Sequence, residues 1–306
     1  MADLPAQISS FIGREREVAA VRERLVNSQI RLVTLTGPGG IGKTRLALQL
    51  ANDMLATFPD GTYFVALAAI SDPDLVASTI AHVLEVQEVG TTPLLDTLKQ
   101  HVHDKFMLLI LDNFEQVLEA APFVAQLLGA APQLTVLVTS RIPLHISGEH
   151  EYPVPSLSLP NPKQLPQLES LSQYEAVALF IQRAQSVKPN FQITTTNALA
   201  VAEICVRLDG LPLAIELAAA RIKILTPEAL LGRLSSRLKL LTGGARDLPA
   251  RQQTLRNTID WSYTSLDAGE QILFARLAVF VGSPTLAAIE AVCNAEGDLP
   301  IDPFDG

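Results

Sequence analysis

Eight consecutive residues, Gly37-Pro38-Gly39-Gly40-Ile41-Gly42-Lys43-Thr44, carry the spacing GxxxxGK[ST]. Glycines let main-chain N–H groups curl around an anion without a Cβ in the way. The segment follows a β-rich run (31–36, RLVTLT) and opens a helical pattern (43–57), so the positive end of a helix dipole would face the same anion. Lys43 would reach the outer phosphates, and the Thr44 hydroxyl would ligate Mg²⁺. Such a cradle needs a carboxylate at the tip of a neighbouring strand. Residues 108–111 (LLIL) end at Asp112, which makes Thr44 and Asp112 the expected metal ligands. Asn113 and Glu115 follow, and either can orient a water, but only Glu115 can act as a base. The plainer reading of Glu115 is a residue favoured by a helix N-terminus. Residues 134–139 (LTVLVT) end in Ser140-Arg141, where an arginine can read a γ-phosphate through a bidentate contact or simply be solvated in a loop. The candidate catalytic set is therefore Lys43, Asp112, Glu115 and Arg141. Arg45 is grouped with residues 37–44 as nucleotide-binding, although it and Arg183 lack a strand-tip position and read as surface side chains.

Strands and helices must alternate to hold these residues. Strand patterns cover 31–36, 62–67, 106–111 and 134–139, with a weaker fifth at 151–154. The apolar run at 106–111 (FMLLIL) suits a strand buried on both faces. Helical patterns lie between them at 43–57, 74–84, 94–101 and 116–128. The expected fold class is α/β: a parallel sheet with helices on both faces. Prolines 153, 155, 160, 162 and 166 then mark a domain exit. Helices dominate beyond it, at 172–186, 196–208, 212–222 and 227–234, and after a break at 242–244 again at 251–266, 267–280 and 285–294. The expected domains are 1–158, a phosphate-loop nucleotide-binding domain, 159–243, a helical domain, and 244–306.

Composition narrows the function further. Of 306 residues, 48% are hydrophobic and 18% charged, which excludes a disordered chain. The net charge of −9 argues against a broad nucleic-acid footprint. Cys205 and Cys293 both fall in apolar helical patterns and read as small buried hydrophobes in a reducing cytosol. No apolar run approaches the ~20 residues that cross a bilayer, and residues 1–10 lack a signal-peptide pattern. A cytoplasmic protein without a membrane partner is expected. His101 and His103 lack the three or four convergent ligands that a metal site needs and read as a solvated pair.

Six segments in order carry a family resemblance. Phe11-Ile12-Gly13-Arg14-Glu15, the loop at 37–44, LLILDN at 108–113, Thr139-Ser140-Arg141, Gly210-Leu211-Pro212-Leu213-Ala214 and residues 254–280 together resemble STAND-class P-loop NTPases of the NB-ARC type. The resemblance implies that backbone near Phe11, Ile12 and Gly13 wraps an adenine, that Arg14 lies close to the nucleotide, and that Pro212 packs on the base. It implies ATP/ADP with Mg²⁺ as ligands, slow hydrolysis, and self-association in the ATP state. Residues 244–306 would be the opening of a winged helix, with sensor and effector domains outside this chain. On this resemblance the chain is the core of a longer signalling or transcriptional regulator.

Asn113 departs from the second acidic residue that many members carry there, which implies a slow ATPase or one that relies on Glu115 as the base. Residues 246–306 hold four Arg against nine acidic residues, 4 − 9 = −5, so direct DNA contact by this segment is disfavoured. The rival readings are a fast P-loop ATPase or kinase, a DNA-loading ATPase with a working winged helix, and an adaptor that binds no nucleotide.

Overall fold

The computed structural model describes residues 4–87, 92–234, 241, 253–264, 266–280, 284–295 and 297–302. The expected boundary between 243 and 244 lies outside them. Five parallel strands, β1 (Leu32–Thr36), β2 (Thr62–Ala66), β3 (Leu108–Asp112), β4 (Thr135–Thr139) and β5 (Glu149–Pro153), form one sheet in the order β2-β3-β4-β1-β5. Every residue of β1, β3 and β4 is buried. Side chains alternate between faces along a strand. Leu109 and Leu111 therefore pack with α3 (Leu75–Val83), α4 (Leu94–Val102) and α5 (Ala121–Ala130). Leu108 and Ile110 pack with α1 (Glu15–Val26) and α2 (Lys43–Asp53) on the opposite face. Both faces are covered, as the continuous apolar runs require.

Several elements differ from the sequence expectation. The helix α1 was not anticipated, although Val18, Val21 and Leu25 have helical spacing and Val21 and Leu25 are buried. Residues 116–128 are not one helix. Two 3₁₀ turns, Phe114–Gln116 and Leu118–Ala120, precede α5. Pro122 explains the break, because its ring would clash with the carbonyl four residues back in a continuous helix. The fifth strand begins at Glu149, and its Glu149, His150 and Glu151 side chains are tolerated because β5 is an edge paired only to β1.

Beyond β5 the helices α6 (Leu168–Leu171), α7 (Glu175–Val187), α8 (Ala198–Arg207), α9 (Pro212–Ala219) and α10 (Pro227–Arg233) enclose a second core around Phe180, Val201, Ile215 and Leu217. Cys205 belongs to that core, and burial pushes its thiol up to about 12. Cys293 is likewise buried, so both cysteines are free thiols in apolar surroundings. Three further helices, Leu255–Tyr263, Ala268–Leu277 and Leu286–Cys293, follow. No helix among the described residues is long and apolar enough to cross a membrane.

Gly210 joins the helical domain to the exit from the sheet. Its carbonyl accepts from the Leu157 N–H at 3.1 Å, and its φ is +65°. A Cβ there would lie 2.6 Å from the Leu157 oxygen. Gly210→Ala is expected to cost about 2–4 kcal/mol, from left-handed backbone plus a clash with main chain. A urea melt checks this, and a loss below about 1 kcal/mol would show that the linker relaxes freely.

Candidate nucleotide-binding site

The parallel sheet brings the ends of β1, β3 and β4 to one edge, where open α/β sheets bind ligands. Gly37, Gly40 and Gly42 have φ of 138°, 81° and 98°, conformations that L side chains rarely adopt. Ile41, between them, is buried and anchors the loop in the sheet core. Lys43 opens α2 and bends back, with Nζ donating to the Gly37 carbonyl at 2.6 Å and to the Pro38 carbonyl at 3.2 Å. The Lys43 ammonium is lowered to about 8, chiefly by burial and in part by Arg141, with Glu115 and Asp112 opposing the shift.

Asp112 is not on the strand next to the loop. β4 lies between β1 and β3, a correction to the expected adjacency. Thr139 at the end of β4 bridges the gap: its hydroxyl donates to Asp112 Oδ1 at 2.6 Å. The Thr44 hydroxyl donates to the same oxygen at 2.7 Å. The Asn113 N–H donates to Thr139 Oγ1 at 3.0 Å, which ties the turn after β3 to β4. Thr139 thus bridges to Asp112, a role beyond its place at a strand end and at the head of the Thr139-Ser140-Arg141 segment. Its signal was present in the sequence, because it terminates a buried strand as Asp112 does. A hydroxyl and a carboxylate side by side are hard oxygen donors, which suit Mg²⁺ holding much of its shell as water and phosphate.

Glu115 and Arg141 are not solvated. Their side chains are 5% and 13% exposed, with Arg141 Nε 3.3 Å from Glu115 Oε1. Asn113 Nδ2 donates to that oxygen at 3.4 Å. Glu115 Oε2 is buried without a hydrogen-bond partner among the described residues. A buried carboxylate oxygen in that position can accept from a water or from a repositioned donor.

Arg45 does not face the phosphate loop, and it is not a free surface residue. Its Nη2 donates to the Ser9 and Ser10 carbonyls, each at 2.8 Å, and its Nη1 lies 3.4 Å from Glu216 on α9. Arg183 on α7 meets the same Glu216 oxygen at 2.9 Å and the Ser10 carbonyl at 3.3 Å. Gln182 bonds the Ser10 hydroxyl. The two arginines therefore bind the N-terminal segment across α2, α7 and α9. Sequence spacing missed this because the partners are up to 173 positions apart.

The N-terminal motif divides between domains. Phe11 packs on the sheet core and Ile12 on the helical core. The Arg14 guanidinium turns behind the loop and donates to the Pro155 carbonyl at 2.6 Å and the Ile41 carbonyl at 3.0 Å. Pro212 sits at the start of α9, with Cγ 3.9 Å from where a Gly42 Cβ would lie. The next residue, Leu213, donates its N–H to the Gly40 carbonyl at 3.2 Å. Helix α9 therefore rests directly on the loop. A cleft of about 570 Å³ opens beside Phe11 and Gly13, between α1 and α2, and holds none of Lys43, Thr44, Asp112 or Arg141. His101 is not solvated alone: its ring lies 2.6 Å from Lys105 Nζ.

Comparisons with known proteins bear on the family and the fold. A family model described as an AAA domain matches residues 26–151. A Mycobacterium tuberculosis protein named as an HTH-type transcriptional regulator, Rv0890c, is 46% identical over 282 residues, covering 92% of this chain and 30% of that protein. The chain thus spans under a third of that relative's length. An uncharacterized protein of the same organism, Rv0894, is 40% identical over 286 residues, covering 93% of this chain and 69% of that protein. Among solved structures, the Walker-type ATPase PABY2304 of Pyrococcus abyssi aligns with a TM-score of 0.54 at 13% identity, over 98% of this chain and 88% of that one, a likeness of fold.

Proposed function

The chain belongs to the same family as the mycobacterial protein Rv0894 and contains an AAA-type P-loop ATPase domain, and from that premise we propose that it is an ATP/ADP-operated switch with slow hydrolysis at the core of a transcription regulator. The observation that carries this reading is the seating of α9 on the phosphate loop through the Leu213 N–H and the Gly40 carbonyl. A nucleotide on that loop lies against both domains. It can change their relative orientation only by contacting them differently in its two forms.

In this reading the main-chain N–H groups of residues 39–44 hold the phosphates, with Lys43 supplying charge. Thr44 and Asp112 hold Mg²⁺, which when bound neutralises charge on the phosphate oxygens. Thr139 keeps Asp112 aimed at Thr44. Glu115 is the base for the attacking water, and Arg141 leaves it to meet the γ-phosphate. Hydrolysis is slow because Arg141 must first leave the Glu115 carboxylate. Residues 244–306 begin a winged helix whose acidic balance suits an intramolecular latch rather than a DNA reader. Self-association in the ATP state passes the signal to domains beyond this chain.

Chromatography of the denatured protein identifies the co-purifying nucleotide, and a steady-state assay measures its turnover. Bound ADP with well under one turnover per second supports the switch. A rate of tens per second, within the ~1–100 s⁻¹ of kinases, would exclude it.

A further inference from the structure

The N-terminal motif holds a buried arginine whose guanidinium contacts main chain. Arg14 is 3% exposed, has φ +70°, and spends its guanidinium on two carbonyls, those of Pro155 at the sheet exit and Ile41 in the phosphate loop. Burial lowers its pKa, and Glu17 and Glu175 oppose that. In a planar trans peptide the N–H points opposite to the C=O. A guanidinium that draws the Ile41 carbonyl inward therefore turns the Gly42 N–H outward, at the residue that caps the start of α2.

Arg14 is itself held from the helical domain. Glu175, the first residue of α7, accepts the Arg14 N–H at 2.5 Å on Oε1 and the Ser158 N–H at 2.8 Å on Oε2. Burial alone would raise the Glu175 carboxyl, but the bonds from Ser158 and Arg14 hold it below the usual carboxylate range. Gly13 makes this approach possible. A Cβ on Gly13 would lie 2.6 Å from Glu175 Cγ, and its φ is +66°.

We infer that Arg14 is a positioning residue that presets the Ile41–Gly42 peptide for a diphosphate, and that Glu175 makes this preset depend on the docked helical domain. This inference rests on the nucleotide-switch reading and adds a route by which domain docking reaches the phosphate loop. Losing the α7 contact would loosen Arg14, and with it one of the peptides whose N–H must face the ligand.

Calorimetric titration of ADP and AMP, each with Mg²⁺, into the wild-type chain, Arg14→Lys and Glu175→Ala tests it. A lysine can reach one carbonyl but not both. Arg14→Lys is expected to weaken ADP about ten- to hundredfold, as for loss of one charge-assisted hydrogen bond. AMP should change far less, so the ratio of the two affinities shrinks. Glu175→Ala should shift that ratio the same way by a smaller factor. A merely structural Arg14 would lower thermal stability and leave the ratio alone. A folded Arg14→Lys with the wild-type ratio overturns the inference. If that variant does not fold, an unchanged ratio in Glu175→Ala overturns it instead. A wild-type chain with no preference for ADP over AMP overturns the switch reading as well, which separates the two failures.

Discussion

Lys43→Met should be more stable than the wild type without nucleotide and less stable with it. Burial moves the Lys43 ammonium from its ordinary 10.5 to about 8. Below that pH the folded state carries a desolvated charge at a cost of about 3 kcal/mol. Between about 8 and 10.5 the unfolded chain binds the extra proton, so stability from this group rises with pH across that window. Methionine removes the charge and keeps most of the volume. It also leaves the Gly37 and Pro38 carbonyls without their donor, which returns about 1–2 kcal/mol of the gain. The net expectation is about 1–2 kcal/mol of added stability in the free protein, read by urea melts at neutral pH. The wild type should gain about 2.7 kcal/mol at a hundredfold excess of ADP–Mg²⁺ over its Kd, and the variant nothing. The two stability orders cross. A free variant destabilised by more than about 1 kcal/mol, or one that keeps the ligand shift, refutes the assignment of Lys43.

The same group makes nucleotide affinity depend on pH. Phosphates favour the charged ammonium, so binding takes up a proton wherever free Lys43 has lost it. ADP affinity should be flat below about 8 and then fall, by about thirtyfold near pH 9.5.

Glu115→Gln should lower the hydrolysis rate by about 10²–10⁴, the usual worth of a positioned base, and leave the Kd for ATP within a few-fold. Glutamine has nearly the shape of glutamate and still offers an oxygen to Arg141, but it cannot accept a proton. The pair is largely buried, with Arg141 Nε 3.3 Å from Glu115 Oε1. Outright truncation would remove a carboxylate that faces a buried cation and cost up to about 3–5 kcal/mol, whereas the amide should cost less. Phosphate release measured at saturating ATP gives the answer. Activity within tenfold of the wild type would move the base elsewhere, and Asn113, which lies 3.4 Å from Glu115, cannot replace it.

Much of this site was legible in the sequence. Residues 37–44 could be read because the loop's chemistry is local: glycine spacing, a preceding strand and a following helix are all set within about a dozen positions. Asp112 was legible for a similar reason, since a carboxylate directly after four aliphatics leaves a buried strand at its ligand-facing end. Gly210 and Pro212 marked a helix stop and a helix start, and α8 and α9 flank them. Arg141 and Glu115 were placed at the right edge, but each was weighed alone. Nothing in their spacing predicts that they pair.

By itself, the order of residue types determined the class of fold, the glycine-spaced turn between β1 and α2, the carboxylate at the end of β3 and the run of helices after the prolines. These follow from short-range sterics and from which stretches must be buried on two faces. Tertiary structure alone decided that β4 separates β1 from β3, so that Thr139 must carry Asp112 to Thr44. It also decided that Arg14 braces the loop from behind, and that Arg45 and Arg183 share Glu216. Strand order and ion-pair choice depend on contacts between residues far apart in the chain. Local periodicity is the same for every such pairing, and only packing the whole sheet against both sets of helices selects one.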